Sequence, residues 1–160
     1  MNTDKRAWDK KRKELFPVHE IKYNKHSGEP IKIIGYTHDE KDIWNVHGGG
    51  IMKYANKPRY VVMDYIGCPD KNDKRIYVGD IVKVRHTYDY PTMEGYEREW
   101  TEVIGEVAFN NGMYDVKRVD SDGSEVWQGI TAMECLTDML SEWEIIGNIF
   151  ENPELLEELE

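Results

Sequence analysis

The residues best suited to chemistry form a basic cluster near the N-terminus. Its members are Arg6, Trp8, Lys10, Lys11, Arg12 and Lys13, and Lys22 and Lys25 follow closely. Lysine and arginine neutralise phosphates, and an exposed indole can stack on a base. The cluster is therefore a candidate nucleic-acid contact, which Lys83 and Arg85 could join from the outward face of a later strand. The alternative is a solvated, lysine-rich turn with Trp8 in a core.

The remaining reactive residues form no recognisable catalytic or metal site. His47-Gly48-Gly49-Gly50 is similar to an esterase oxyanion segment, but the chain has no G-x-S-x-G elbow. Residues 70–75 lack the alternating oxygen ligands and the central glycine of a calcium loop. The histidines lack helix-type ligand spacing, and Cys68 and Cys135 are too few and too distant for a zinc site. We predict no catalytic residue, no metal and no cofactor.

Charge is divided unevenly along the chain. Its 160 residues include 21 basic and 31 acidic ones, for a net charge of −10. Every basic residue lies at or before Arg118, and residues 119–160 carry twelve acidic groups. This polarity could steer a polyanion toward one end or align subunits head to tail. The plain alternative is a surface that keeps the protein soluble.

Composition favours a globular protein of one or two domains. The chain is 39% hydrophobic and 32% charged, and no apolar run approaches the ~20 residues that span a bilayer. The N-terminus lacks an apolar signal core, and the two cysteines suggest no disulfide framework. We expect a cytoplasmic protein with no membrane partner.

Hydrophobic periodicity predicts a mainly β fold with a minor α component. Hairpins are expected from strands at residues 6–8 and 15–18, then 21–23 and 31–34, followed by a strand at 59–66. Residues 38–57 follow no period and are predicted to be irregular. A meander is expected from strands at residues 81–86, 103–109, 113–119, 125–129 and 143–150, with a long loop at 88–100. Five short strands at this spacing suggest a small barrel.

Helices are expected only near the C-terminus. Thr131 and Glu134 have capping-box spacing, which predicts a short helix before the last strand. Pro153 can open a terminal helix, but so short a helix does not persist alone in water. Its apolar residues must therefore dock on the body or on a partner; they are Leu155, Leu156 and Leu159.

Three segments resemble the YopX-like family of bacteriophage and prophage proteins. They are Lys5-Arg6-Ala7-Trp8-Asp9-Lys10-Lys11, the block from Tyr65-Ile66-Gly67 through Asp70-Lys71-Asn72 to Ile76-Tyr77-Val78-Gly79-Asp80-Ile81-Val82, and Ile146-Gly147-Asn148-Ile149-Phe150-Glu151-Asn152-Pro153-Glu154-Leu155-Leu156. The chain departs from the family pattern at Asp73, where glycine is usual, and at Val78, where glutamate is common. The extended stretch at 38–57 is a further departure.

The resemblance implies a C-terminal SH3-type β-barrel behind a smaller, mixed β-rich N-terminal part. We place the N-terminal part at 1–67, the barrel at 68–152 and a short acidic helix at 153–160. It also implies carriage on a phage or prophage genome and a bacterial host, and it brings no catalytic residues. Our expectation is a phage accessory protein that acts as a protein-interaction or self-assembling module. The alternative is a nucleic-acid-binding protein that uses the basic N-terminal hairpin.

Overall fold

The computed structural model describes residues 4–28, 30–36, 43–47, 53–54, 57–119, 122–128 and 141–157. The chain divides into two units, Met1–Asp64 and Tyr65–Glu160. Most described residues lie in antiparallel strands, which confirms the mainly β class.

The first unit is an antiparallel sheet built from consecutive hairpins. Its strands are β1 (Lys5–Asp9), β2 (Glu14–Tyr23), β3 (Pro30–Tyr36), β4 (Ile43–His47), a two-residue ladder of β5 (Lys53–Tyr54) and β6 (Lys57–Pro58), and the first half of β7 (Tyr60–Pro69). Within the main sheet the order is β4-β3-β2-β1-β7. Both hairpins that the sequence predicts are present, joined through the single long strand β2. Strand β4 falls inside the stretch predicted to be irregular.

Alternate residues of these strands form the core of the first unit. The buried cluster consists of Ala7, Phe16, Val18, Ile33 and Tyr60. The rings of Phe16 and Tyr60 meet edge to face, with their centroids 6.0 Å apart. Gly35 makes room for this pair, because a Cβ atom there would collide with the Phe16 ring. Burying each large side chain stabilises the fold by about 1.5–3 kcal/mol.

The second unit is a meander. It begins with the second half of β7 and continues through β8 (Arg75–Tyr77), β9 (Asp80–Thr92), β10 (Gly95–Asn110), β11 (Met113–Val119), β12 (Glu125–Trp127), β13 (Ser141–Asn148) and a 3-10 helix, Pro153–Leu156. The five-stranded sheet has the order β12-β11-β10-β9-β13. The described strands leave this sheet open, so closure into an SH3-type barrel stays a prediction. The predicted helix after Thr131 lies outside the described residues.

The core of the second unit is aliphatic around one tryptophan. Its buried members are Ile66, Cys68, Ile76, Val82, Val84, Val107, Val116 and Trp143. Val82 and Val84 lie two residues apart on β9, so their side chains share one face of the sheet. The neighbouring strands bury the same face. The thiol-bearing Cys68 is 2% exposed, so it behaves as a small apolar residue in the core.

The loop predicted at 88–100 is wrong, because β9 and β10 remain paired beyond the core. Their register runs from Ile81↔Glu106 outward to Thr92↔Gly95, and Met93 and Glu94 form the connecting turn. We call residues 85–102 the arm. Neither face of its outer part enters the core, so apolar alternation is absent from its sequence. Cross-strand aromatic and charged pairs take the place of core contacts there.

Candidate interaction surfaces

The basic N-terminal turn is organised by the carboxylate of Asp9. Its Oδ1 atom accepts hydrogen bonds from the backbone N–H groups of Lys11, at 2.9 Å, and Arg12, at 3.2 Å. The guanidinium of Arg59 donates to both carboxylate oxygens, at 2.9 Å and 2.8 Å. Burial alone would raise the pKa of Asp9, but these hydrogen bonds outweigh it and hold the pKa below its ordinary value. Asp9 is therefore an ionised anchor that fixes the turn.

The predicted nucleic-acid residues separate into a buried group and an exposed group. Trp8 is 8% exposed, so its ring is not available to stack on a base. Arg6 is half-buried on the same strand. The residues of the turn itself reach solvent, with Lys10 half-exposed and Lys11, Arg12 and Lys13 exposed. The turn thus presents cations without the aromatic platform that the sequence suggested.

The cations predicted on the outward face of β9 lie among carboxylates. Lys83 and Arg85 line a shallow cavity whose other residues are Lys71, Glu102, Glu142 and Glu144. Lys71 lies 2.9 Å from Glu144 and 3.3 Å from Glu142, and Lys83 lies 3.6 Å from Glu144. Three basic and three acidic side chains thus share this cavity. Such a balance does not favour a polyanion, so these residues do not extend a phosphate-binding surface.

One face of the arm carries a row of cation and aromatic contacts. The guanidinium of Arg85 lies 4.0 Å from the centre of the Trp100 ring. Further out, Arg98 donates to both oxygens of Asp89, at 2.7 Å and 3.0 Å. That hydrogen bonding lowers the pKa of Asp89. Trp100 remains 56% exposed and Tyr96 80% exposed.

The opposite face of the arm combines two tyrosines with two glutamates. The register places Tyr88 opposite Glu99 and Tyr90 opposite Glu97. The Tyr90 hydroxyl donates to Glu97, at 2.8 Å, and to Glu99, at 3.2 Å, and the Tyr88 hydroxyl donates to Glu99, at 3.1 Å. The hydrogen bond to Glu97 is the main cause that raises the pKa of Tyr90 to about 12. We call these four residues the tyrosine–glutamate face; its hydroxyls are neutral at pH 7.

The arm is the surface that sequence reasoning missed. Its signal was present as Tyr88-Asp89-Tyr90 and Glu97-Arg98-Glu99, which alternate in type around a short turn. Read as a hairpin, these triplets put aromatic and acidic residues on one face and an ion pair on the other. An alternation between charged and aromatic residues can therefore mark a strand pair whose two faces both meet solvent.

The acidic residues of the central motif anchor turns. Asp70 is 5% exposed, and its Oδ1 accepts from the backbone of Asn72, at 2.8 Å, and Lys74, at 3.0 Å. Its Oδ2 accepts from the N–H of Ile145, at 3.1 Å, which ties the turn to β13. Asp80 is 1% exposed and accepts from the N–H of Tyr77, at 2.8 Å. The carboxylate oxygens of both aspartates thus accept hydrogen bonds from backbone N–H groups.

The C-terminal motif is held by a similar arrangement. The Oδ1 atom of Asn148 accepts from the N–H groups of Phe150, at 3.0 Å, and Glu151, at 2.9 Å. Gly147 permits the following turn to close, because a Cβ atom there would lie 2.8 Å from the Leu155 side chain. Leu155 thus packs against its own sheet, and Leu156 is half-buried. Leu159, the third predicted partner contact, lies outside the described residues.

The described part of the chain also bears on metal and membrane binding. No group of three or more His, Cys, Asp or Glu side chains there is placed to hold a metal ion. The same residues include no helix long and apolar enough to cross a membrane.

The fold and its motifs define a class of small β-proteins with two units, in which the polar motif residues hold turns. The family model described as YopX protein matches residues 5–157, so the chain belongs to the YopX family. A solved structure, that of protein EF1440 from Enterococcus faecalis, is similar at 25% identity and a TM-score of 0.50, with 96% of each chain covered. No curated protein matches the chain.

Proposed function

We propose that this protein is a non-catalytic module that binds another protein chain, as an accessory protein of a phage or prophage in the bacterial cytoplasm. The observation that carries the proposal is the arm, a hairpin with large side chains directed into solvent. Met93 at its tip is fully exposed, and Tyr96 and Trp100 follow along one face. Aromatic residues and methionine are enriched at protein interfaces, where rigid rings bury much area at little entropic cost.

The turn-anchoring role of the motif residues supports the non-catalytic part of this proposal. Asp9, Asp70 and Asp80 direct their carboxylates at backbone N–H groups of their own turns. A general acid or base needs to reach a substrate proton, and a carboxylate engaged in this way does not. We therefore assign these residues to folding.

Nucleic-acid binding is the second candidate, and the exposed basic turn favours it. Lys10, Lys11, Arg12 and Lys13 stand in a row on a turn that Asp9 holds in place. Four cations can neutralise several phosphates. Two features weigh against it, namely the burial of Trp8 and the carboxylates around Lys83.

Photo-crosslinking from the arm tests the proposal. A photoreactive residue is placed at Met93 or at Tyr96, with Asn72 on an exposed turn as the matched control position. We expect protein crosslinks from both arm positions and none from the control. In parallel, the anisotropy of labelled DNA and RNA is measured at low and physiological salt. Nucleic-acid binding that the K11E/K13E substitution abolishes, without arm crosslinks, would replace the proposal by the alternative.

A further inference from the structure

The tyrosine–glutamate face of the arm meets solvent, with Tyr88, Glu97 and Glu99 exposed and Tyr90 half-buried. Its two carboxylates, those of Glu97 and Glu99, lie two residues apart on β10 and accept hydrogen bonds from the tyrosine hydroxyls. The Tyr88 and Tyr90 rings are neighbours, with centroids 6.4 Å apart and planes tilted by 45°. A cationic side chain can lie over such rings while its charged end reaches a carboxylate. The face is therefore shaped for lysine or arginine.

A complementary surface exists on the same chain. The basic turn presents Lys10, Lys11 and Lys13, and exposed Glu14 follows Lys13. The Asp9 carboxylate at the start of the turn is engaged by backbone N–H groups and by Arg59. These bonds hold the turn in place, so the backbone of the turn does not have to become ordered when a partner binds. The turn offers several cations, and their charge is opposite to that of the two carboxylates of the tyrosine–glutamate face.

We propose that the tyrosine–glutamate face of one copy binds the basic turn of a second copy. This inference rests on the proposed function, because it names a second copy of the chain as the protein that the arm binds. The two surfaces differ, so the contact is heterologous: the copy that contributes its face keeps an unused turn, and the copy that contributes its turn keeps an unused face. Assembly therefore continues head to tail into a ring or a filament.

The contact has a characteristic dependence on salt. Each exposed ion pair is weak, so affinity arises from several lysine–glutamate and lysine–tyrosine contacts acting together. Raising the ionic strength from about 0.05 M to about 0.5 M shortens the screening length from roughly 14 Å to roughly 4 Å. The assembly should consequently dissociate toward monomers over this range.

Charge exchange on the full chain provides the test, with mass measured by light scattering at low salt. One variant reverses the face, E97K/E99K, and the other reverses the turn, K11E/K13E. We expect the wild type to assemble and each variant alone to lose at least about tenfold in association, because like charges then oppose each other. An equimolar mixture of the two variants should recover assembly, since each reversed face meets a reversed turn.

Controls separate this contact from other sources of assembly. The variant E154K/E157K makes the same change in net charge as E97K/E99K, but on exposed residues near the C-terminus. It should assemble like the wild type. The inference would be overturned if either variant still assembled, if the mixture failed to assemble, or if the control lost assembly. None of these results would count against the proposed function as a protein-binding module. A monomeric wild type would also overturn the inference, whereas absent arm crosslinks would count against the proposed function itself.

Discussion

Replacing Asp9 by asparagine should destabilise the first unit by about 3 kcal/mol. The side chain of Asp9 is 1% exposed and that of Arg59 is 14% exposed. Removing one partner of a buried ion pair costs about 3–5 kcal/mol, because the other charge stays buried without compensation. Arg59 retains some contact with water, so we expect the lower end of that range. An amide nitrogen in place of Oδ2 would also face the guanidinium donor.

Urea unfolding and amide hydrogen exchange measure this effect. The D9N variant should unfold at lower urea. The N–H groups of Lys11 and Arg12 should lose protection because Oδ1 then belongs to a neutral amide, which accepts hydrogen bonds more weakly than a carboxylate. The matched control is D64N, which removes an exposed pair between Lys5 and Asp64 in the same unit. Exposed pairs contribute about 0.2–1 kcal/mol. If D9N cost no more than D64N, the reasoning that makes Asp9 the anchor of the turn would be refuted.

Three further predictions concern the second unit. Burial raises the pKa of Asp70, but hydrogen bonds from backbone N–H groups outweigh it and leave the pKa below its ordinary value. Its contribution to stability is therefore complete above about pH 4 and is lost as the pH falls through the lowered folded-state pKa, so D70N should flatten the acid limb of a stability–pH curve. The substitution G147A should cost about 1–3 kcal/mol, since its Cβ would lie 2.7 Å from Asn152 Oδ1 and 2.8 Å from the Leu155 side chain. The measurement is a thermal melt, compared with that of G112A, which strains a backbone of positive φ without any collision. In a C135S background, Cys68 should react with a thiol reagent only at the rate of unfolding, because it is 2% exposed; immediate reaction would contradict its place in the core.

Strands that bury one face could be predicted from the sequence. Strand β11 has the bounds that alternation predicts, and the first hairpin closes at the polar residues between β1 and β2. In both places apolar residues repeat every second position because one face meets the core. The buried state of Trp8 was one of the two readings that the sequence left open. Only the burial of the Trp8 side chain in the structure decides between the buried and the exposed interpretation.

The arm could not be predicted by the same reasoning. Its outer pairs, such as Tyr90 with Glu97 and Asp89 with Arg98, contain no apolar alternation because neither face is buried. The anchoring roles of Asp9 and Asp70 could not be predicted from the sequence either. Their carboxylate oxygens accept hydrogen bonds both from backbone groups close in sequence and from residues far away, such as Arg59 and Ile145. Long-range hydrogen bonds of this kind leave no periodic signal.

The continuity of the arm with the core has a kinetic consequence. The turn at Met93 and Glu94 needs to close a loop of only two residues, and each next pair forms by zipping inward until Val84 meets Val103 in the core. Local closure is entropically cheap, whereas pairing of β13 with β9 joins residues more than fifty positions apart. We therefore expect the arm to pair early in folding and to set the register of the two central strands, β9 and β10. Alanine at Gly95, where φ is 137°, should then slow folding more than it speeds unfolding in stopped-flow measurements.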